Sequence, residues 1–268
     1  MSLLDQLVDS ARRGVEQRSR EVPVEELRER LAGRDQGRPF REALAHPGIS
    51  LICEFKRRSP SAGPIAPERD LAAQVAAYEA GGAAALSILT DRAHFDGGLE
   101  DLRIARESSS LPILRKDFVV DPYQLTESAA AGADAVLLIA TVLRDSRLEE
   151  FQAEAAGLDL DCLVEVHDED DLVRALETGA EVIGINNRNL DTNQVDVATT
   201  YELLTDVPTG KTVVSESGIS RREELAELER IGVDGALIGE SLMKAEDPES
   251  LVRDFTVSTE ETTEHELP

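Results

Sequence analysis

The sequence contains no tryptophan, 3% aromatic residues, two cysteines and 28 basic residues against 54 acidic ones. Each shortage excludes something. Cys53 and Cys162 each lie in an apolar run and show no CxxC spacing, which argues against a disulfide scaffold or a cysteine metal cluster; both are expected to be reduced core residues. No apolar run approaches the ~20 residues of a membrane span. Residues 1–10 lack the basic-then-apolar pattern of a secretory signal, so a soluble, cytoplasmic protein is expected. A net charge of −26 excludes a nucleic-acid partner, because the phosphate backbone demands a cationic footprint.

Lysine is scarcer still. Lys56, Lys116, Lys211 and Lys244 are the only four, so arginine supplies 24 of the 28 cations. A lysine kept where arginine is habitual points to chemistry that a permanently charged guanidinium cannot perform. The acid surplus implies a halophilic, salt-adapted surface, since at molar salt the Debye length falls to roughly 3 Å and self-repulsion is screened.

What the chain does have is aliphatic residues in a repeating arrangement. Four times an amphipathic stretch ends at glycine and an apolar run follows: Gly81-Gly82 before Ala84–Leu89, Gly132 before Ala135–Ile139, Gly179 before Val182–Ile185, and Gly232 before Gly235–Ile238. Glycine supplies a left-handed helix cap, and a buried strand comes next. Further apolar runs at Ile49–Arg57, Leu111–Arg115, Leu160–His167 and Thr212–Ser217 bring the strands to eight, with helical periods between and after them. Eight alternating β and α units in about 250 residues predict a (β/α)₈ (TIM) barrel over residues 48–255. An open doubly wound sheet is the alternative. Residues 1–47 read as a helical extension packed over one end, and 256–268 as an acidic, disordered tail.

Barrel active sites form at the C-terminal ends of strands. Side chains two apart share a face, so Glu54 with Lys56, Leu114 with Lys116, Leu163 with Glu165, Gly184 with Asn186, and Ser215 with Ser217 are expected to point inward together. A desolvated lysine near other cations can have its pKa lowered enough to act as a general acid. Internal salt bridges that merely fill the barrel's upper layer are the competing reading. Gly218 and Gly239, at the turns after the seventh and eighth strands, suggest a phosphate site. Lys56, Arg188 and Arg57 are candidate cations for it, while Lys211 and Lys244 read as surface residues. His167 shares parity with Glu165 and could line the mouth, although a strand-end residue without a catalytic role is the simpler reading. His46, His94 and His265 read as loop or tail positions.

The strings Glu54-Phe55-Lys56-Arg57-Arg58-Ser59-Pro60, Leu114-Arg115-Lys116-Asp117-Phe118, Leu163-Val164-Glu165-Val166, Ile185-Asn186-Asn187-Arg188-Asn189-Leu190, Ser215-Glu216-Ser217-Gly218 and Ile238-Gly239-Glu240-Ser241 resemble the successive strand-end motifs of the indole-3-glycerol-phosphate synthase family. The resemblance runs over residues 49–255 and implies a phosphorylated small-molecule substrate, 1-(2-carboxyphenylamino)-1-deoxyribulose 5-phosphate. It implies ring closure with loss of carbon dioxide and water, and no cofactor or metal. By resemblance, Lys116 is the general acid, Glu165 the general base, and Lys56 a substrate-holding and proton-sharing residue. Glu54, Asn186, Glu216 and Ser217 would orient lysines and sugar hydroxyls, and Arg188 would face the anthranilate carboxylate. Ser59, Pro60, Phe95, Phe118, Leu137 and Leu190 would enclose the substrate, and Lys56 with the backbone at Gly218, Gly239 and Glu240 would take the phosphate. The sequence departs from the family in having no aromatic before Phe40 to close over the substrate ring, leaving Leu3, Leu4 or Leu7. A monomer or weak homo-oligomer is expected. Phosphoribosylanthranilate isomerase, a shorter barrel using a strand-one cysteine, is the nearest alternative; Cys53 has the wrong parity for it if Glu54 and Lys56 point inward. A phosphate-binding barrel without chemistry would lack the acid or base, and both are present.

Overall fold

Eight of the apolar runs become parallel strands in the computed structural model, which describes residues 2–34 and 36–256. They are β1 Ser50–Phe55, β2 Ala85–Leu89, β3 Ile113–Lys116, β4 Ala135–Ile139, β5 Asp161–Val166, β6 Val182–Asn186, β7 Thr212–Glu216 and β8 Gly235–Ile238. Each pairs with its sequence neighbours, and β8 returns to β1 to close a barrel with Cys53 opposite Ile238. The doubly wound alternative is thereby excluded. A small antiparallel pair, Arg58–Ser59 with Gly63–Pro64, stands above β1.

The helices are α1 Leu3–Glu21, α2 Val24–Leu31, α3 Phe40–Ala43, α4 Leu71–Gly81, α5 Arg92–Phe95, α6 Leu99–Ser108, α7 Tyr123–Ala131, α8 Arg147–Gly157, α9 Glu169–Glu177, α10 Ala198–Leu204, α11 Arg222–Ile231, α12 Glu240–Lys244 and α13 Pro248–Thr256. The repeated glycine joints behave as their spacing predicts: Gly82, Gly132, Gly179 and Gly232 take φ of +97°, +95°, +77° and +95°, a region that a Cβ makes costly. The expected tail lies, beyond Thr256, outside the described residues.

Alternation along the strands divides the core in two. Cys53, Ile88, Ile113, Val136, Val164, Ile183 and Val213 face the helices. Ile52, Leu114, Leu163 and Val214, from the odd-numbered strands, face inward. Two residues further along the same strands, hence on the same inward face, come Glu54, Lys116, Glu165 and Glu216. A barrel interior is built in layers of four side chains from alternate strands, and here the layer nearest the carboxyl ends is charged at every position.

The N-terminal helices reach both mouths, not one as the sequence led us to expect. Leu7, Val8, Ala11 and Val15 of α1 join the inward-facing cluster, and so do Phe40 and Leu44. The second pair sits below the strands, where Ser50 Oγ donates to Leu44 O (3.2 Å) and Arg41 N donates to Asp161 Oδ2 (3.0 Å). α1 is tied down by a chain of charges: Arg18 Nε meets Glu127 Oε1 at 2.6 Å, Glu127 Oε2 meets Arg115 Nη1 at 2.9 Å, and Arg115 Nη2 meets Asp117 Oδ2 at 2.8 Å. Arg115 is 1% exposed. A buried guanidinium is tolerated only when its partners are fixed, so this chain locks α1 and α7 onto the strand that carries Lys116.

Two sequence expectations need correcting. Cys53 is buried, but Cys162 at the start of β5 is only partly so; burial still pushes its thiol up to about 12. Ser215 faces outward, where its hydroxyl is hydrogen-bonded with Thr200 Oγ1 (2.7 Å) and accepts from Asn187 Nδ2 (3.1 Å). On β7 it is Val214 and Glu216 that point in, and Ser217 regains the mouth because its φ of +67° breaks the strand's alternation.

Candidate active site

A cavity of about 520 Å³ opens above the charged layer, within the range of small-molecule sites. Most residues singled out from the sequence line it: Lys116, Glu165, Lys56, Glu54, Asn186, Ser217, Glu216, Arg188, Ser59, Pro60, Phe95, Phe118, Leu137, Leu190, Gly218, Gly239 and Glu240.

Strand register sets the geometry at its floor. Lys56 Nζ lies 2.5 Å from Glu54 Oε1. Lys116 Nζ stands between two carboxylates, 3.0 Å from Glu165 Oε2 and 3.3 Å from Glu216 Oε2. Burial alone would lower the Lys116 ammonium, but the carboxylates of Glu165, Glu216 and Glu54 outweigh it and hold the group above its ordinary value. This reverses the expected direction: the neighbours are acidic, not basic, so Lys116 stays loaded with its proton. Burial would likewise raise Glu165, yet Lys116 and His167 hold its carboxyl well below the usual range. Glu216 differs. Burial pushes it up, Lys116 opposes, and the nearby Glu165 and Glu54 charges bring it to about 7. Two carboxyls flanking one ammonium thus have their affinities for the proton driven apart, the pattern that separates acid from base.

Glycines on β6 and just beyond β8 make room for these groups. A Cβ on Gly184 would lie 2.2 Å from Glu216 Oε1, and one on Gly239 would lie 2.5 Å from Glu54 Oε1. Gly239, read from the sequence only as part of a phosphate turn, therefore also clears space for a carboxylate.

The rim is made by loops. Asn186 Oδ1 accepts from Arg188 N (3.0 Å) and from Ser217 Oγ (2.9 Å), which fixes the β6 and β7 ends to each other. Gly218, at φ +86°, approaches Val195 so closely that a Cβ would sit 2.7 Å from its Cγ1. Ser241 Oγ is buried with no hydrogen-bond partner and lines the cavity beside Gly239. Glu240 also lines the cavity, its carboxylate paired with Lys244 at 2.5 Å.

Some assignments change. Arg57 is not available to the cavity: it is bidentate to Asp101 (2.7 and 2.8 Å) and stacks on Phe55 at 4.9 Å. Lys244, expected from the sequence at the surface, stands on the cavity rim. Leu3 and Leu7 line the cavity and Leu4 does not, which answers which leucines of the first helix face it. Sequence reasoning also missed Ser61, Leu89, Ile139, Asn193, Val195, Ile219 and Ser241; the strand parity of Leu89 and Ile139 was the signal that could have found those two. His167 lies behind the floor and is absent from the lining. Among the described residues no cluster of three or more His, Cys, Asp or Glu is arranged to hold a metal ion, and no helix is long and apolar enough to cross a membrane.

A closed parallel barrel with a charged, partly desolvated layer at the carboxyl ends of its strands defines a TIM-barrel enzyme acting on a small molecule. Solved structures agree on the fold alone: thiamine phosphate pyrophosphorylase from Pyrococcus furiosus (TM-score 0.59, 19% identity, covering 81% of this chain and 96% of that one) and an N-acetylmannosamine-6-phosphate 2-epimerase from Clostridium perfringens (0.59, 16%, 78% and 93%). The sequence model described as Indole-3-glycerol phosphate synthase matches residues 4–255. Curated relatives of that name are 45% identical in Desulfosudis oleivorans (94% of this chain, 97% of the relative) and 46% identical in Salinibacter ruber (92% and 93%). The chain belongs to the indole-3-glycerol phosphate synthase family, carboxy-lyases of tryptophan biosynthesis.

Proposed function

We propose that the charged layer closes the pyrrole ring of 1-(2-carboxyphenylamino)-1-deoxyribulose 5-phosphate, with Lys116 as general acid and Glu165 as general base. The observation that carries this reading is the position of Lys116 Nζ, within 3.0 and 3.3 Å of two carboxylates at the cavity floor. The ring carbon bearing the carboxylate attacks the ketose carbonyl carbon, and Lys116 gives a proton to the carbonyl oxygen as it becomes a hydroxyl. The carbon–carboxylate bond then breaks, carbon dioxide leaves, and its electron pair restores the ring. Lys56 then gives a proton to the departing hydroxyl, which leaves as water, while Glu165 takes the proton from the ring carbon next to the nitrogen, completing the indole. A positioned acid contributes roughly 10²–10⁴-fold, and holding the aryl carbon against the carbonyl adds an entropic advantage.

Lys56 and the backbone at Gly218, Gly239 and Glu240 bind the phosphate; the unpartnered Ser241 hydroxyl supports a ligand oxygen there. Arg188 faces the anthranilate carboxylate. Pro60, Phe95, Phe118, Leu137 and Leu190 enclose the aromatic ring, with Leu3 and Leu7 of α1 above it in place of an aromatic. In this reading residues 48–255 are the catalytic barrel and residues 1–47 cover it. The enzyme works in the cytoplasm, its acid-rich surface is suited to high salt, and it binds neither nucleic acid nor membrane; a monomer or weak homo-oligomer suffices, since one chain lines the whole cavity. The test is to add the carboxyphenylamino-deoxyribulose phosphate and follow indole fluorescence and carbon dioxide together. Equal yields of both are expected, and loss of substrate without indole would refute the reading.

A further inference from the structure

Three inward carboxylates, Glu54, Glu165 and Glu216, face only two lysines. Glu54 has Lys56 to itself at 2.5 Å, so Glu165 and Glu216 must share Lys116. What separates them is behind the layer. His167, two residues beyond Glu165, has its Nε2 3.3 Å from Glu165 Oε1 and its Nδ1 3.5 Å from Asp171 Oδ2, ion-pair contacts in which neither buried ring nitrogen makes a hydrogen bond of good geometry. Asp171 is itself fixed, accepting from Thr141 Oγ1 and from the His167 backbone N–H and pairing with Arg174. Among the described residues no comparable group stands behind Glu216, whose Oε1 is buried, unpartnered and pressed towards Gly184.

We propose that His167 is a positioning residue whose imidazolium keeps Glu165 ionised and turned towards Lys116, so that the shared proton of the layer resides on Glu216. The inference rests on Glu165 being the base. The titratable groups facing the ring are Glu165 from β5 and Asp171 from α9, with Lys116 and Arg174 on the far sides of those two carboxylates. A cation between two carboxylates favours the charged form of all three, while a carboxyl with half a lysine and no second partner gives way to its neighbours' charge. The carboxylates of Asp171 and Glu165 accordingly outweigh burial and push the imidazole up to about 10. His167 touches no part of the cavity; it acts through Glu165.

Two measurements test this. In the unliganded enzyme, ¹⁵N resonances of the His167 ring should report an imidazolium through pH 8, and its titration should move down in Glu165→Gln. A ring that titrates near its ordinary value in the parent would overturn the proposal whatever the activity does. In His167→Gln, which keeps a donor but removes the charge, kcat below the acidic limb should fall about tenfold for each unit the limb moves, with the plateau at neutral pH and KM nearly unchanged. The acidic limb of its kcat profile should also move to higher pH, because Glu165 loses a neighbouring cation. An unmoved limb, or a uniform loss at every pH, would show a merely structural residue. Full activity of Glu165→Gln with an imidazolium at His167 would instead remove the base assignment and leave the ion pairing standing.

Discussion

Gly184 and Glu216 are fitted to each other across the β6–β7 pair: a Cβ on the glycine would come within 2.2 Å of Glu216 Oε1. Glu216 can bend towards Lys116 only because its neighbour has no side chain. Gly184→Ala should therefore push Glu216 off Lys116. Overpacking of this kind costs about 1–3 kcal/mol, or a fall in Tm of roughly 2–4 °C per kcal/mol in a chain of this size. Thermal melts and kcat measured together check it: both should fall, and a fully active, equally stable variant would contradict the fit.

The free enzyme should carry a titration near neutrality. Glu216 is pushed up to about 7, so as pH rises through that value the layer gains a negative charge beside Lys116. The substrate is an anion, so kcat/KM should decline above pH 7. In Glu216→Gln that decline should vanish from the pH profile.

Stability should depend on pH through His167 in the opposite sense from an ordinary carboxylate. The carboxylates of Asp171 and Glu165 outweigh burial and push its imidazole from the ordinary 6.5 up to about 10. A raised pKa means that the folded state holds the proton more tightly, so the contribution is fully present below about pH 6.5 and disappears as pH rises through about 10. Glu165, held low, behaves in reverse and loses its contribution as pH falls below the usual carboxylate range. Denaturant unfolding of the parent and His167→Asn should differ most at pH 6 and converge by pH 10.

Much of this was legible beforehand, for a definite reason. Glycine caps and buried aliphatic runs are local signals, so the eight strands and the barrel followed from them. Parity then placed Glu54, Lys56, Lys116 and Glu165 on one face. It failed on β7, where Ser215 and Glu216 are adjacent and only the outward hydrogen bonds to Thr200 and Asn187 decide between them. It also failed for the direction of the Lys116 shift, because which charges surround a lysine depends on four different strands. Sequence parity cannot exclude Arg57 as a ligand cation, because nothing in its own segment reveals Asp101, 44 residues away.

Salt should affect this enzyme less than its anionic substrate suggests. With a net charge of −26, long-range repulsion of substrate is relieved by the same screening that weakens the local phosphate contacts. KM measured from low to molar salt should change little; a steep climb would contradict the balance.

The central claim is that Lys116, pinned between Glu165 and Glu216, delivers the proton that closes the ring. Lys116→Met keeps length and removes the charge, so kcat for indole formation at saturating substrate should fall by roughly 10²–10⁴-fold while the fold is retained. A Lys116→Met enzyme that turns over at the parent's rate would contradict the account.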